Sequence, residues 1–331
     1  MKDIVIMAIE SSCDETSCSI IKNGVDILSN IVASQIKSHK RFGGVVPEVA
    51  ARHHVEAITY VIDQALNESE LSLDDIDAFS ATTGPGLVGS LLVGVNAAKT
   101  LALTYNKPFI STHHIAGHIY ANKFLTEFSF PLLTLVVSGG HTELVVMKDE
   151  LDFEVIGETL DDAVGEAYDK VARVLDLPYP GGPQIDRLAK EGEPTYKLPT
   201  LMDDDTLNFS FSGIKSAVIN LVHNETQRGN EIRKADLACS FQEKAVELLI
   251  RKTRAAVNTY GIKQVLVAGG VAANSRLRAL IVDELKGIDV ILPPLSLCTD
   301  NAAMIGACSY QQFITEDFSD MEERVRPSID L

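Results

Sequence analysis

Two distant stretches of this chain share one pattern: a buried apolar strand, a short turn of small polar residues, then a second strand. The first is Ile4-Val-Ile-Met-Ala-Ile9, the turn Ser11-Ser-Cys-Asp-Glu-Thr16, and a strand over 17–21. The second is Pro131-Leu-Leu-Thr-Leu-Val-Val137, the turn Ser138-Gly-Gly-His141, and a strand over 142–147. A third segment, Gln264-Val-Leu-Val-Ala-Gly-Gly-Val-Ala-Ala-Asn274, repeats buried strand, double glycine and helix start. Strands precede helices in both halves, which makes the class α/β. Two halves that open alike predict a duplicated fold with a cleft between lobes, and 331 residues are enough for two cores. The small turns at 11–16, 138–140 and 269–274 would then face that cleft, where glycine lets a phosphate approach backbone N–H groups.

Between these hairpins the pattern predicts a strand over 25–32, an amphipathic helix over 47–68, a strand over 74–82 and a small-residue helix over 90–104. The second half adds helices over 161–175, from about 184, and over 236–260, with a polar, irregular stretch at 199–235 holding one short helix. Leu177-Pro-Tyr-Pro-Gly-Gly-Pro183 breaks the first of these. A small-residue helix over 302–313 closes the chain, and residues 324–327 read as a tail.

No apolar run approaches the ~20 residues that span a bilayer, and the run at 4–9 is too short for a signal-peptide core. A cytoplasmic protein without membrane contact is expected. The five cysteines form no Cys-x-x-Cys, so neither a disulfide scaffold nor a thiolate zinc site is expected. The net charge of −17 lacks the basic surface usual for a nucleic-acid binder. Local exceptions are Lys37, Lys40 and Arg41, then Arg52 with His53 and His54, and Arg276 with Arg278.

Chemistry concentrates in Ser111-Thr-His-His-Ile-Ala-Gly-His118. On a helix, His114 and His118 share one face, one turn apart, as metal-binding imidazoles do. Taken alone, the spacing also fits two helix-face histidines with ordinary hydrogen bonds. Helical zinc proteases place a Glu after the first His; here that residue is Ile115. Asp14 and Glu15, in the first turn, are candidates for a general base or a phosphate contact, and equally for exposed turn acids. Asn274 sits where a helix N-cap belongs.

The ordered set of motifs resembles one family. It comprises Glu10-Ser-Ser-Cys-Asp-Glu-Thr16, Gly43-Gly-Val-Val-Pro-Glu48, Gly84-Pro-Gly-Leu-Val-Gly89, His113-His-Ile-Ala-Gly-His118, Val137-Ser-Gly-Gly-His-Thr142, Tyr179-Pro-Gly-Gly-Pro183, Phe209-Ser-Phe-Ser-Gly213, Gly269-Gly-Val-Ala-Ala-Asn274 and Cys298-Thr-Asp-Asn301. From residue 4 to about residue 327 the chain looks like the bacterial form of the universal tRNA threonylcarbamoyladenosine transferases. The resemblance implies an actin-like ATPase fold: two RNase-H-like lobes with an interlobe cleft, here 1–115 and 116–301, a helix at 302–326 packing back on the first. It implies transfer of threonylcarbamoyl from threonylcarbamoyl-AMP to N6 of adenine 37, in tRNAs reading codons that begin with A. Implied partners are tRNA, an inactive paralogue forming a heterodimer, and a small P-loop ATPase.

Carried over residue by residue, the resemblance assigns His114, His118 and Asp300 to one divalent metal, Fe(II) first and Zn(II) second. It assigns donor contacts to Val136, Val137, Ser138, Gly139, Gly140, Asp169, Gly182, Asp186 and Asn274. Archaeal relatives place a Tyr ligand where this chain has Val136, which implies three protein ligands and an open side. Alternatives on the same residues are a metal-dependent protease, an ATPase or sugar kinase on the same fold, and a non-catalytic nucleotide-binding scaffold.

Overall fold

The computed structural model describes residues 2–202 and 204–331. They form two compact units, Met1–Glu127 with Thr299–Leu331, and Phe128–Cys298.

The sheet of the first unit is built from β1 (Val5–Glu10), β2 (Glu15–Lys22), β3 (Asp26–Ser34), β4 (Ala78–Gly84) and β5 (Phe109–His113), in the order β3-β2-β1-β4-β5. β1 to β3 pair antiparallel, while β4 and β5 add in parallel. The second unit repeats this layout with β6 (Leu132–Val137), β7 (Thr142–Asp149), β8 (Asp152–Glu158), β9 (Gln264–Ala268) and β10 (Asp289–Ile291), ordered β10-β9-β6-β7-β8. The duplication read from the two hairpins is therefore a duplication of strand order and direction. A central strand in such a sheet is apolar on both faces, because both are covered. In β1, Met7 and Ile9 join the core under α1 (Pro47–Ser69) and α2 (Val88–Tyr105). Ile6 and Ala8 point the other way and pack near the closing helix.

α3 (His114–Tyr120) follows β5 without a loop. In the second unit, α4 (Val164–Val174), α5 (Gly181–Ala189), α6 (Ser212–Gln227), α7 (Lys234–Tyr260) and α8 (Ser275–Glu284) supply the helices. The closing helix α9 (Ala302–Ile314) belongs to the first unit. It ends at Ile314 rather than continuing to 326, and residues 116–127 belong to the first unit.

Several elements differ from the pattern in the sequence, each for a local reason. Residues 73–75 form a 3-10 turn closed by a reciprocal Ser72–Asp75 capping box, so β4 starts only at Ala78. α4 starts at Val164 because Asp161 is used elsewhere: its carboxylate accepts from the N–H of Phe211 (2.8 Å) and Ser212 (3.2 Å) at the start of α6. α6 is 16 residues long, not a short helix. α5 starts at Gly181, whose N–H donates to Asp169 Oδ1 at 2.6 Å. The final residues are no loose tail: Arg326 N–H donates to Thr83 O (2.8 Å), and Gly86 N–H donates to Pro327 O (3.1 Å).

His54 pins α1 to the first turn. Its Nε2–H donates to Cys13 O (3.0 Å), and its Nδ1 accepts from the Thr16 hydroxyl (2.8 Å). Burial holds this ring below the usual histidine pKa, against the pull of Glu10 and Asp14. The unfolded chain therefore takes up a proton at His54 before the fold does. Its stabilising share is complete above the unfolded value of about 6.5 and declines as pH falls through that value toward the depressed folded pKa. NMR titration should give a His54 midpoint below about 6.5; a midpoint at or above the free value would contradict a neutral, buried ring.

Candidate functional site

The Thr112-His-His-Ile-Ala-Gly-His118 run gives its three histidines two jobs. His113 is the N-cap of α3: its Nδ1 accepts from Ile115 N–H (3.1 Å), and its Nε2–H donates to Ile329 O (3.3 Å). Burial pushes it down to about 4, so it is neutral. His114 and His118 lie one turn apart and almost fully buried, with ring centroids 4.7 Å apart and planes crossing at 81°.

Asp300 reaches both rings. Its Oδ1 lies 3.1 Å from His118 Nε2 and 3.6 Å from His114 Nε2. Asp300 directly precedes Asn301, which caps α9 by accepting from Met304 N–H. Gly117 lets the two helices meet: a Cβ there would lie 2.6 Å from the Ile305 side chain. All these residues belong to the first unit. One ligand atom each from His114, His118 and Asp300 can be chosen within 4.8 Å of one another.

Behind His114 sits a residue whose role the motifs did not single out. Glu10 is completely buried at the end of β1. Its carboxylate accepts from Ser12 N–H (2.5 Å), from the Thr82 hydroxyl (2.5 Å) and from His114 Nδ1–H (3.1 Å). That bond fixes the orientation of the ring and turns Nε2 toward Asp300. A carboxylate behind a ligating imidazole is the usual way to orient it and raise its basicity. Burial alone would lower His114, but Asp300 and then Glu10 raise it to about 9. Burial would likewise raise Glu10, and His114 more than reverses this.

These residues fit a divalent cation. Two imidazoles and a carboxylate are a donor set for Fe(II) or Zn(II). The two acids that favour a proton on His114 would equally favour a metal at its Nε2. His118 Nε2 faces Asp300, while its Nδ1 is buried without a hydrogen-bond partner among the described residues. Ile115, where a protease would carry its Glu, is buried in the core.

The other sequence-derived residues fall into place as follows. Asp14 is buried; Glu15 is partly buried and accepts from the Ser34 hydroxyl (3.0 Å). Burial, then Asp14 and Asp300, push Glu15 up to about 9, so it is an acid rather than a base at neutral pH. In the second unit, Val136 and Val137 end β6 fully buried, and Ser138 opens an exposed turn. Open space surrounds the Cβ positions of Gly139, Gly140 and Gly182. Gly165 and Gly269 cradle the turn: a Cβ on Gly165 would lie 2.5 Å from Ser138 O, and one on Gly269 2.5 Å from Val137 O. Gly269 also has φ +92°, so only glycine sits there without strain.

Asp169 supports the Gly181 backbone, and burial raises its pKa. Asp186 accepts from Ser275 N–H (3.2 Å) and Oγ (2.8 Å). Asn274 is the N-cap expected: Oδ1 accepts from Arg276 N–H (3.1 Å) and Leu277 N–H (2.9 Å), and Nδ2 donates to Gln242 Oε1 (2.8 Å). Asp186 and Asn274 thus meet at the start of α8. The Cys13, Cys18, Cys239 and Cys298 thiols are all pushed up by burial, which makes none of them a ready nucleophile.

Comparison with known proteins decides the family. Residues 26–307 match TsaD, tRNA N6-adenosine threonylcarbamoyltransferase. The enzyme of that name from Listeria welshimeri is 59 % identical, over 99 % of this chain and 97 % of its own length. The one from Bacillus cereus is 61 % identical, over 94 % and 93 %. The chain belongs to the tRNA N6-adenosine threonylcarbamoyltransferase family. It is an acyltransferase acting on tRNA. Among solved structures, nucleotide-bound full-length HypF aligns with a TM-score of 0.62 at 14 % identity, over 95 % of this chain and 47 % of that one. Component A of the Acidaminococcus fermentans (R)-2-hydroxyglutaryl-CoA dehydratase aligns with a TM-score of 0.52 at 15 % identity, over 95 % and 97 %. At such identities these neighbours speak to fold alone, and the fold is that of the actin-like ATPases. No helix among the described residues is long and apolar enough to cross a membrane.

Glu10→Gln keeps the shape of the buried side chain but weakens its grip on His114. Metal affinity, measured by competition with a chromophoric chelator, should fall about 10- to 100-fold. Unchanged affinity would show that Glu10 does not support the site. Gly269→Ala should lower thermal stability by about 1–3 kcal/mol through strain at the 137–138 turn, read by denaturant titration.

Proposed function

We propose that the enzyme transfers the threonylcarbamoyl group from threonylcarbamoyl-AMP to N6 of adenine 37, in tRNAs reading codons that begin with A. The observation that carries the reading is the convergence of His114, His118 and Asp300 in a chain about 60 % identical to named tRNA threonylcarbamoyltransferases. His114, His118 and Asp300 hold one divalent metal, Fe(II) or Zn(II). Such a cation supplies Lewis acidity and an anchor for the donor's anionic oxygens.

The donor is a mixed anhydride with a good leaving group, AMP, so a covalent enzyme intermediate is unnecessary. The acceptor amine is a weak nucleophile, because its lone pair is delocalised into the purine ring. The main task is alignment, which supplies roughly 7–11 kcal/mol in well-oriented cases. Val136 to Gly140, the end of β6 and its turn, present backbone to the donor, and Gly182 offers backbone with no side chain in the way. Asp169 holds the Gly181 end of α5 in place with one carboxylate oxygen. Asp186, on α5, and Asn274, at the start of α8, contact the donor. Of the two acids in the first turn, Asp14 is the candidate to take the N6 proton, and Glu15, favoured in its protonated form, the candidate for a phosphate contact.

The companions are an inactive paralogue, as heterodimer partner, and a small P-loop ATPase. With a net charge of −17, the chain relies on them for part of the basic surface that tRNA phosphates require. The cytoplasm, where tRNA is modified, is its expected location.

Reconstitution with tRNA, threonine, bicarbonate, ATP, the adenylate-forming synthase and the companions should yield threonylcarbamoyladenosine in digested tRNA. Asp300→Ala should lower the yield about 100-fold or more. No modified nucleoside from the wild type, or full activity of Asp300→Ala, would overturn the reading.

A further inference from the structure

The chain has 29 Lys and Arg residues against 46 Asp and Glu, and most of its cations are engaged. Of the basic clusters visible in the sequence, Arg276 is paired with Glu243, and Arg278 donates to Ala272 O and Pro293 O. His54 is buried and neutral. The cluster at Lys37, Lys40, Arg41 and Arg52 differs. All four are exposed, and among the described residues none has an acidic partner. Glu48 is the only acid between residues 37 and 52, so four cations against one acid give this segment a formal charge of +3.

Geometry concentrates the charge. Arg41, Arg52 and His53 line a pocket of about 300 Å³ together with Glu48 and Val49. Pro47 opens the 23-residue helix α1 beside it, and Val46 gives no side-chain cap. The positive end of the helix dipole falls in the same patch, partly offset by Glu48 in the first turn. The Arg41 guanidinium stands 4.6 Å from the ring centre of Phe42, itself half exposed, which keeps the planar fork at the surface.

We propose that Lys37, Lys40, Arg41 and Arg52 form the chain's own contact with the tRNA phosphate backbone. The surface rests on the reading of the protein as a tRNA-modifying enzyme and specifies where it meets that substrate. A local +3 on a strongly negative chain gives tRNA a favourable approach at this face. The four cations select for the polyanion without reading its sequence.

The test compares two charge-reversal sets in the reconstituted system. One is Lys40→Glu, Arg41→Glu and Arg52→Glu. The control is Lys197→Glu, Lys263→Glu and Lys286→Glu, which reverses three exposed cations of the second unit that also lack acidic partners among the described residues. The patch variant should raise the KM for tRNA at least about tenfold at 0.15 M salt, a concentration at which exposed charges still act over about 8 Å. Its kcat and metal content should stay within about twofold, and the slope of log binding constant against log salt should become shallower by about 2–3. The control should move none of these. A patch variant with wild-type KM and salt slope, or a control with the same defect, would overturn the proposal. Direct tRNA binding by fluorescence anisotropy separates the two readings: a wild type that binds through the patch yet modifies nothing removes the proposed reaction and leaves the surface standing.

Discussion

The hydrogen bond from His114 to Glu10 is the contact on which the first unit's chemistry depends. A carboxylate with no solvent exposure is costly unless it is hydrogen-bonded and paired. Glu10 meets that condition with a backbone N–H from its own turn, a hydroxyl from β4 and an imidazole from α3. The same three bonds tie the end of β1 to two other elements and orient one ring. Structural satisfaction and ligand orientation are thus one requirement. It explains why an apolar strand such as Val5–Glu10 ends in a buried acid.

The two units show how one strand order serves different ends. Each places a strand-turn-strand at the centre of a five-stranded sheet, with two parallel strands added on one side. In the first unit, the end of β5 runs directly into α3 and delivers two imidazoles. In the second, the opening turn is led by small residues. It is Ser138-Gly-Gly, fenced by Gly165 and Gly269 so closely that a methyl group on either would strike its backbone. One unit is specialised by ionisable side chains at a buried point, the other by small residues in an exposed turn.

Much of this was legible in the sequence. The duplicated hairpin, the long helices, the cap at Asn274 and the one-turn spacing of His114 and His118 each follow from periodicity or residue chemistry acting locally. Asp300 is close to the histidines only after the chain returns through α9, so it was reached by resemblance and not by spacing. The role of Glu10 was hidden because its partners lie far along the chain, at Thr82 and His114. β5, β8 and β10 carry weak signals: Phe109-Ile-Ser-Thr-His113 is half polar, β8 is largely exposed and β10 has three residues. The docking of the last residues uses backbone groups, which leave no mark in side-chain pattern. Asp169 and Asp186 entered only as donor contacts implied by the resemblance; that both also hold the backbone of neighbouring helix starts depends on partners distant in the chain.

The central claim is that His114, His118 and Asp300 bind one metal together, with Glu10 behind the first ring. X-ray absorption at the metal edge of the loaded protein reads this most directly. The account predicts a shell of nitrogen and oxygen at about 2.0–2.2 Å, with scattering from two imidazoles and none from sulfur. A shell containing sulfur, or fewer than two imidazoles, would contradict it.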